Sequence, residues 1–341
     1  MGEGEIKMGE FLELAKVLVS PCEKLMTMVG QAIGKAYEPR HTRKMADAHA
    51  YELSTIGAAM RELADINTTY ENGEVALFTE DFQRLMKRTE NRMALQEITK
   101  QQNIESVVDK AYELLETEND VTDELVDQDW TRRFFNIIGD VSNSEMQELW
   151  ARILSGEIKR PGSFSMRTLE TIRNISTDEA KIFQRIIPLI MFKGNVYFLL
   201  SDDDILNKYE LSFADIQTLD ECGLVNFSET LSLNLSVSKD EPKYLLSDTL
   251  IIIIKGKKEE SKKISFGVHT LTRAGLELFN ILLHEPNLDY TIQVANHIFS
   301  RNPLNATTSV HELVSFKKDV DEEKIQYKVT SLASYPEEIA R

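Results

Sequence analysis

The residues able to carry chemistry are few and scattered. Six histidines, at positions 41, 49, 269, 284, 297 and 311, form no H-E-x-x-H pair, and His311-Glu312 lacks the second histidine of such a zinc site. His41 and His49 can share one helix face, but no third ligand accompanies them. Cys22 and Cys222 are the two cysteines and lie far apart, so they give neither a disulfide framework nor a zinc set, and they fit a reducing compartment. There is no phosphate-binding P-loop, no G-x-G-x-x-G after a strand, no G-x-S-x-G elbow and no paired C-x-x-C. Asp202-Asp203-Asp204 stands beside Ser201 just ahead of a helix, where N-capping is the ordinary role. The acidic run from Glu116 to Asp129 matches no calcium-loop spacing and reads as a solvated connector. The chain is therefore expected to be non-enzymatic, without cofactor or metal. An enzyme whose site is dispersed over the fold is the rival reading.

Charge is the next guide. The net charge of −17 opposes a nucleic-acid binder over the whole surface, because phosphate contacts need a basic face. Two basic islands stand out. Lys24, Lys35, Arg40, Arg43 and Lys44 face only Glu38 between positions 24 and 45. They overlap a helix carrying Leu25, Met26, Met28, Val29, Ala32 and Ile33, with Gly30 and Gly34 in a G-x-x-x-G pair. Two interior glycines cost a helix ~1 kcal/mol each, which points to close backbone approach. Gly30, Gly34, Lys35, Arg40, Arg43 and Lys44 are thus candidates for self-association or for contact with an anionic membrane surface. A plain core helix with a solvated end is the alternative. The second island is KGKKEESKK, where Lys257, Lys258, Lys262 and Lys263 are candidates for a nucleic acid or a protein partner.

The elements around these residues are legible from spacing and caps. Ser20 is the expected N-cap, with Pro21 at the first helical position. Residues 40–66 read as an alanine-rich helix and residues 67–73 as a loop. Residues 80–116 read as one or two helices with a break near Gln101-Gln102-Asn103. The sparse apolar residues of its first half, Leu85, Met86, Met93 and Leu95, call for another helix or another subunit. Trp130, Phe134, Ile137 and Ile138 define the next helix, started by Asp127 or Asp129. Ser142 with Glu145 suggests a capping box for a helix carrying Met146, Leu149, Trp150, Ile153 and Leu154, with Gly156 as its left-handed cap. Pro161-Gly162 turns the chain, Ser163 or Ser165 caps a third helix, and Ser176 with Glu179 opens a fourth.

Beyond Phe183 the pattern changes to strands at 195–200, 231–238, 249–254 and 263–271. A short helix from Ser212 ends at Gly223, and another starts at Thr272. The expected class is α+β: a mainly helical N-terminal two-thirds and a winged-helix-like α/β C-terminal domain. The divisions fall at 1–78, 79–185 and 186–341. The helix that would enter a DNA groove carries Asp215, Asp220 and Glu221 and no lysine or arginine, so protein contact is favoured over nucleic acid.

At Asp129-Trp130, Arg133-Phe134-Phe135, SNSEMQELWARILSGEIKRPGSFS and Arg167-Thr168-Leu169 the chain resembles the bacterial family called domain of unknown function 2806. The stretch PCEKLMTMVGQAIGKAYEPRHTRKMADAHA is similar to the N-terminal part of such proteins. A looser similarity, on the E-x-x-LWA-x-I-L helix and the proline loop after it, links the chain to abortive-infection alpha proteins. The resemblance implies a role in bacterial defence against phage. A homo-oligomer, read from the glycine-containing helix, a phage-derived protein as trigger and peripheral contact at the inner membrane are the expected partners. No basic leader with an apolar core and no apolar run of ~18–20 residues is seen, so a cytoplasmic location is expected.

Overall fold

The computed structural model describes residues 21–33, 70–71, 74–75, 80–116, 122, 124–315, 325–328 and 330–336. The chain divides into two units, Met1–Ser163 and Phe164–Arg341. The division falls ahead of two helices that the sequence reading groups with the helical core.

In the first unit the described helices are α1 (Pro21–Ile33), α2 (Glu80–Glu116), α3 (Gln128–Ile138) and α4 (Ser144–Lys159), with a short antiparallel pair β1 (Tyr70–Glu71) and β2 (Glu74–Val75). Apolar residues at helical spacing place one face of each helix in a common core. Trp130 stacks on Phe134 at 5.0 Å, and Phe134 meets Trp150 edge-on at 5.6 Å. The second half of α2 adds Val107, Val108, Ala111 and Leu115, all fully buried. A polar seam fixes the register. Asn103 Nδ2 donates to the carbonyl of Gly139 at 2.8 Å, and Gln147 Nε2 donates to the carbonyl of Val141 at 2.9 Å. Ser106 Oγ donates to Gln147 Oε1 at 2.8 Å.

Several caps agree with the sequence and two differ. Asp127 accepts from Trp130 N, and Ser165 accepts from Thr168 N. The α4 cap is Asn143, accepting from Met146 N at 3.0 Å, and not Ser142. Gly156 lies inside α4 rather than ending it, because Glu157 and Ile158 continue the buried face for another turn. The left-handed residue is Gly162, in the turn beyond. Helix α2 runs unbroken through Gln101–Asn103, since buried Asn103 is held from both sides of the seam.

The second unit contains α5 (Met166–Arg173), α6 (Thr177–Ile186), α7 (Asp203–Leu206), α8 (Phe213–Glu221), α9 (Arg273–Phe279) and α10 (Leu288–Arg301). Its strands are β3 (Met191–Lys193), β4 (Val196–Leu200), β5 (Val225–Asn226), β6 (Ser232–Val237), β7 (Lys243–Leu246), β8 (Leu250–Gly256), β9 (Lys262–Leu271), β10 (Ala306–Ser315), β11 (Gln326–Tyr327) and β12 (Ala333–Tyr335). They form an antiparallel sheet in the order β11-β10-β8-β7-β3-β4-β9-β5, with β12 on β10 and β6 on β9. The expected α+β class holds. Capping boxes start α6 at Ser176–Glu179 and α8 at Ser212–Asp215.

One joint explains the spacing of two sequence segments. Gly223 follows α8 with φ 72°, a conformation natural to glycine. Thr272 Oγ1 then donates to the Gly223 carbonyl at 2.7 Å, and Thr272 N donates to the Leu224 carbonyl at 3.0 Å. Gly275, in the first turn of α9, lies so close that a Cβ there would run into the Leu224 oxygen.

Candidate functional site

Of the first set of candidates, Gly30 is half-buried near the end of α1, while Gly34, Lys35, Arg40, Arg43 and Lys44 lie outside the described residues. Leu25, Met28 and Val29 of α1 are buried within the first unit, so this apolar face is occupied by the protein's own helices. Lys24, counted with the basic island in the sequence, is buried. Its Nζ donates to the carbonyls of Ile158 at 3.0 Å and Thr122 at 3.2 Å. A cation on the last carbonyls of α4 is favoured by the helix dipole, and Lys24 is thereby structural.

The lysine turn joins β8 to β9, but these strands do not pair with each other: β8 lies between β7 and β10, and β9 pairs with β6, β4 and β5. It is therefore a corner of the sheet rather than the tip of one hairpin. Lys257 Nζ donates to the Pro303 carbonyl at 2.6 Å and lies 5.7 Å from the Phe299 ring centre. Lys262 pairs with Glu260 at 2.8 Å, and this contact holds the Glu260 carboxyl below its ordinary value. Lys258 and Lys263 are exposed.

Among the described residues of the helical unit, the first half of α2 carries four exposed large apolar side chains. Leu85, Met86 and Met93 are 51%, 44% and 56% exposed, and Leu95 is 66% exposed. Leu85, Met86 and Met93 fall on the same helical face as Val107, Ala111 and Leu115, which are core residues in the second half. The stripe thus continues past the helices that cover it.

Helix α8 presents a different surface. Its capping box and an ion pair from Arg185 to Asp215 at 3.1 Å fix its start. Ile216 and Leu219 face inward, whereas Phe213, Ala214, Gln217, Asp220 and Glu221 are exposed. Beside the end of α8 is a cleft of about 510 Å³ lined by residues that include Arg167, Glu170, Asn174, Glu179 and Cys222. Burial and the neighbouring Glu179 push the Cys222 thiol up to about 12. The backbone N–H of Ser176 and its hydroxyl hold Glu179 below the ordinary carboxylate value.

Three of the described histidines make separate contacts, and His41 and His49 lie outside the described residues. His297 pairs with Asp202 at 2.9 Å, and Asp202 also caps α7 through Ile205 N. His284 pairs with Asp248 at 3.1 Å, which raises its pKa. His311 bonds to the Lys328 carbonyl and to Ser309. Among the described residues no group of three His, Cys, Asp or Glu could hold a metal ion, and no helix is long and apolar enough to cross a membrane. Sequence reasoning missed the exposed Phe213 and the Glu179–Cys222 contact. The first shows only when α8 is seen from outside, and the second joins residues of two separate helices.

These features define an α+β protein whose helical unit and antiparallel-sheet unit each leave a distinct surface exposed. The chain belongs to the family described as "Protein of unknown function (DUF2806)", whose model matches residues 87–295. No curated protein and no solved structure matches it.

Proposed function

We propose that this is a non-enzymatic interaction protein of bacterial anti-phage defence, which self-assembles through the exposed half of α2 and engages a partner protein through its second unit. The observation that carries the reading is the stripe of Leu85, Met86 and Met93 on a helix whose other half is core. Exposed apolar patches of this kind mark interaction surfaces. A second copy is the occupant. Paired antiparallel about a two-fold axis, it sets Met86 of one copy against Met93 of the other, so that the stripe covers itself. The defence role rests on the likeness of the tryptophan helix to abortive-infection alpha proteins, which is association rather than chemistry. A phage-derived protein is the proposed trigger, and Lys35, Arg40, Arg43 and Lys44 are the proposed route to an inner-membrane surface.

The second unit is read as winged-helix-like. Supporting this is the chain order α6, β3, β4, α7, α8, β5 and, after three further strands, β9, with β4-β9-β5 as neighbours in the sheet. The test is a phage challenge of a bacterial host expressing the protein. Wild type should protect, and Leu85→Glu/Met93→Glu should not. Protection by that variant equal to wild type would remove the assembly step, and failure of wild type against a broad set of phages would remove the defence role.

The exposed Lys258 and Lys263 favour a second reading, a nucleic-acid-associated regulator. A salt-sensitive gel shift abolished by Lys258→Glu/Lys263→Glu would support it.

A further inference from the structure

Between Lys208 and Lys239 the chain carries Glu210, Asp215, Asp220, Glu221 and Glu229 and no lysine or arginine. Asp215 is already paired with Arg185. Asp220 and Glu221 sit in the last turn of α8, where the helix dipole favours cations and no basic residue is present. They share an exposed helical face with Phe213 and Gln217, at the spacing of successive turns.

The aromatic on this face is held in place. Phe213 is 46% exposed and meets Phe227 edge-on at 5.1 Å. Phe227 in turn stacks on the buried His269 at 5.1 Å, and its backbone N–H donates to Asp220 Oδ1 at 2.9 Å. A fixed, solvent-facing ring at the start of α8, with carboxylates two turns along the same face, is complementary to successive planar cations of one segment. Guanidinium groups can both stack on a ring and pair with a carboxylate, which ammonium groups do less well.

We propose that the exposed face of α8, with Phe213, Gln217, Asp220 and Glu221, docks an arginine-rich segment of a partner protein. This rests on the reading that the second unit engages a protein, and it names the chemistry of that protein's contact. Nucleic acid is opposed by the same carboxylates, which would face phosphates.

The test is fluorescence anisotropy of the full chain with two labelled peptides, one of alternating arginine and serine and one of alternating lysine and serine, at near-physiological salt. The arginine peptide should bind, and the lysine peptide should bind about threefold or more weakly. Phe213→Ala should weaken the arginine peptide about three- to tenfold, and Glu221→Lys about tenfold. Glu221→Lys places a cation at a helix C-terminus and should not lower the melting temperature, so misfolding cannot account for its loss. Three results overturn the proposal: no binding by wild type, wild-type affinity in both variants, or short duplex DNA binding that the same variants abolish. Sedimentation of the same samples separates the two ideas. Intact assembly without peptide binding sinks only the docking face, and peptide binding without assembly sinks only the self-association.

Discussion

The two halves of α2 share one helical face and meet opposite surroundings. In the second half Val107, Ala111 and Leu115 are fully buried against the unit's other helices. In the first half Leu85 and Met93 continue the stripe with more than half of their surface exposed. Both halves are good helix, 37 residues without glycine or proline, about 55 Å long. Apolar spacing therefore defines a face, and only the length of the neighbouring helices decides how much of that face is core.

The largest effect expected is at the core end of this contrast. Trp150, fully buried and edge-on to Phe134, should lose ~3–5 kcal/mol of stability on change to alanine, measured by denaturant unfolding. Next comes the polar seam that joins α2 to its neighbours. Asn103→Ala strands the Gly139 carbonyl and should cost about 1–3 kcal/mol in the same measurement. A loss as small as that of a surface change would show that the seam does not fix α2.

His269 sharpens the same contrast between satisfied and unsatisfied interior. It is 3% exposed, and its Nδ1 has no hydrogen-bond partner. Burial lowers its pKa below 6.5, against the opposing pull of Asp203 and Asp220. Below 6.5 the unfolded chain binds the proton more readily, so this site costs stability as pH falls from 6.5 towards the lower folded value. His297 acts in the same direction, chiefly through burial, while His284 acts oppositely because Asp248 favours its charged form. His269→Phe should change stability at pH 7 by less than about 1 kcal/mol and should flatten the acid-side slope seen in thermal unfolding across pH 5–7. An unchanged slope would mean that His269 does not titrate with unfolding.

The smallest effect belongs to the exposed end. Leu85→Ser and Met93→Ser should leave the unfolding free energy of the isolated chain within ~0.5 kcal/mol. A large loss from either would show that the stripe is already covered within the chain.

Most of the scaffold was legible because its signals are local. Asp127, Ser165, Ser176, Asp202, Ser212 and Thr272 each cap the helix that follows them, and a cap is a matter of three or four residues. The errors arose where burial overrode local preference. Gly156 looks like a helix end until Ile158 is seen in the core, and Lys24 looks like a surface charge until its carbonyl partners are known. The strand partners of the lysine turn were illegible for a related reason. β8 joins β10, more than fifty residues later, and nothing near Lys257 announces that pairing. The candidate surfaces were legible in part. Leu85 and Met93 stood out as a sparse stripe, whereas Phe213 could not be told from a core residue by spacing alone.

The central claim, that α2 leaves an assembly surface open, is tested most directly by sedimentation velocity of the full chain over a range of concentrations. Wild type should sediment as a species larger than the 39.0 kDa monomer and revert to monomer in Leu85→Glu/Met93→Glu with unchanged helical content. A wild type that remains monomeric at every concentration, or a variant that assembles as wild type does, would contradict it.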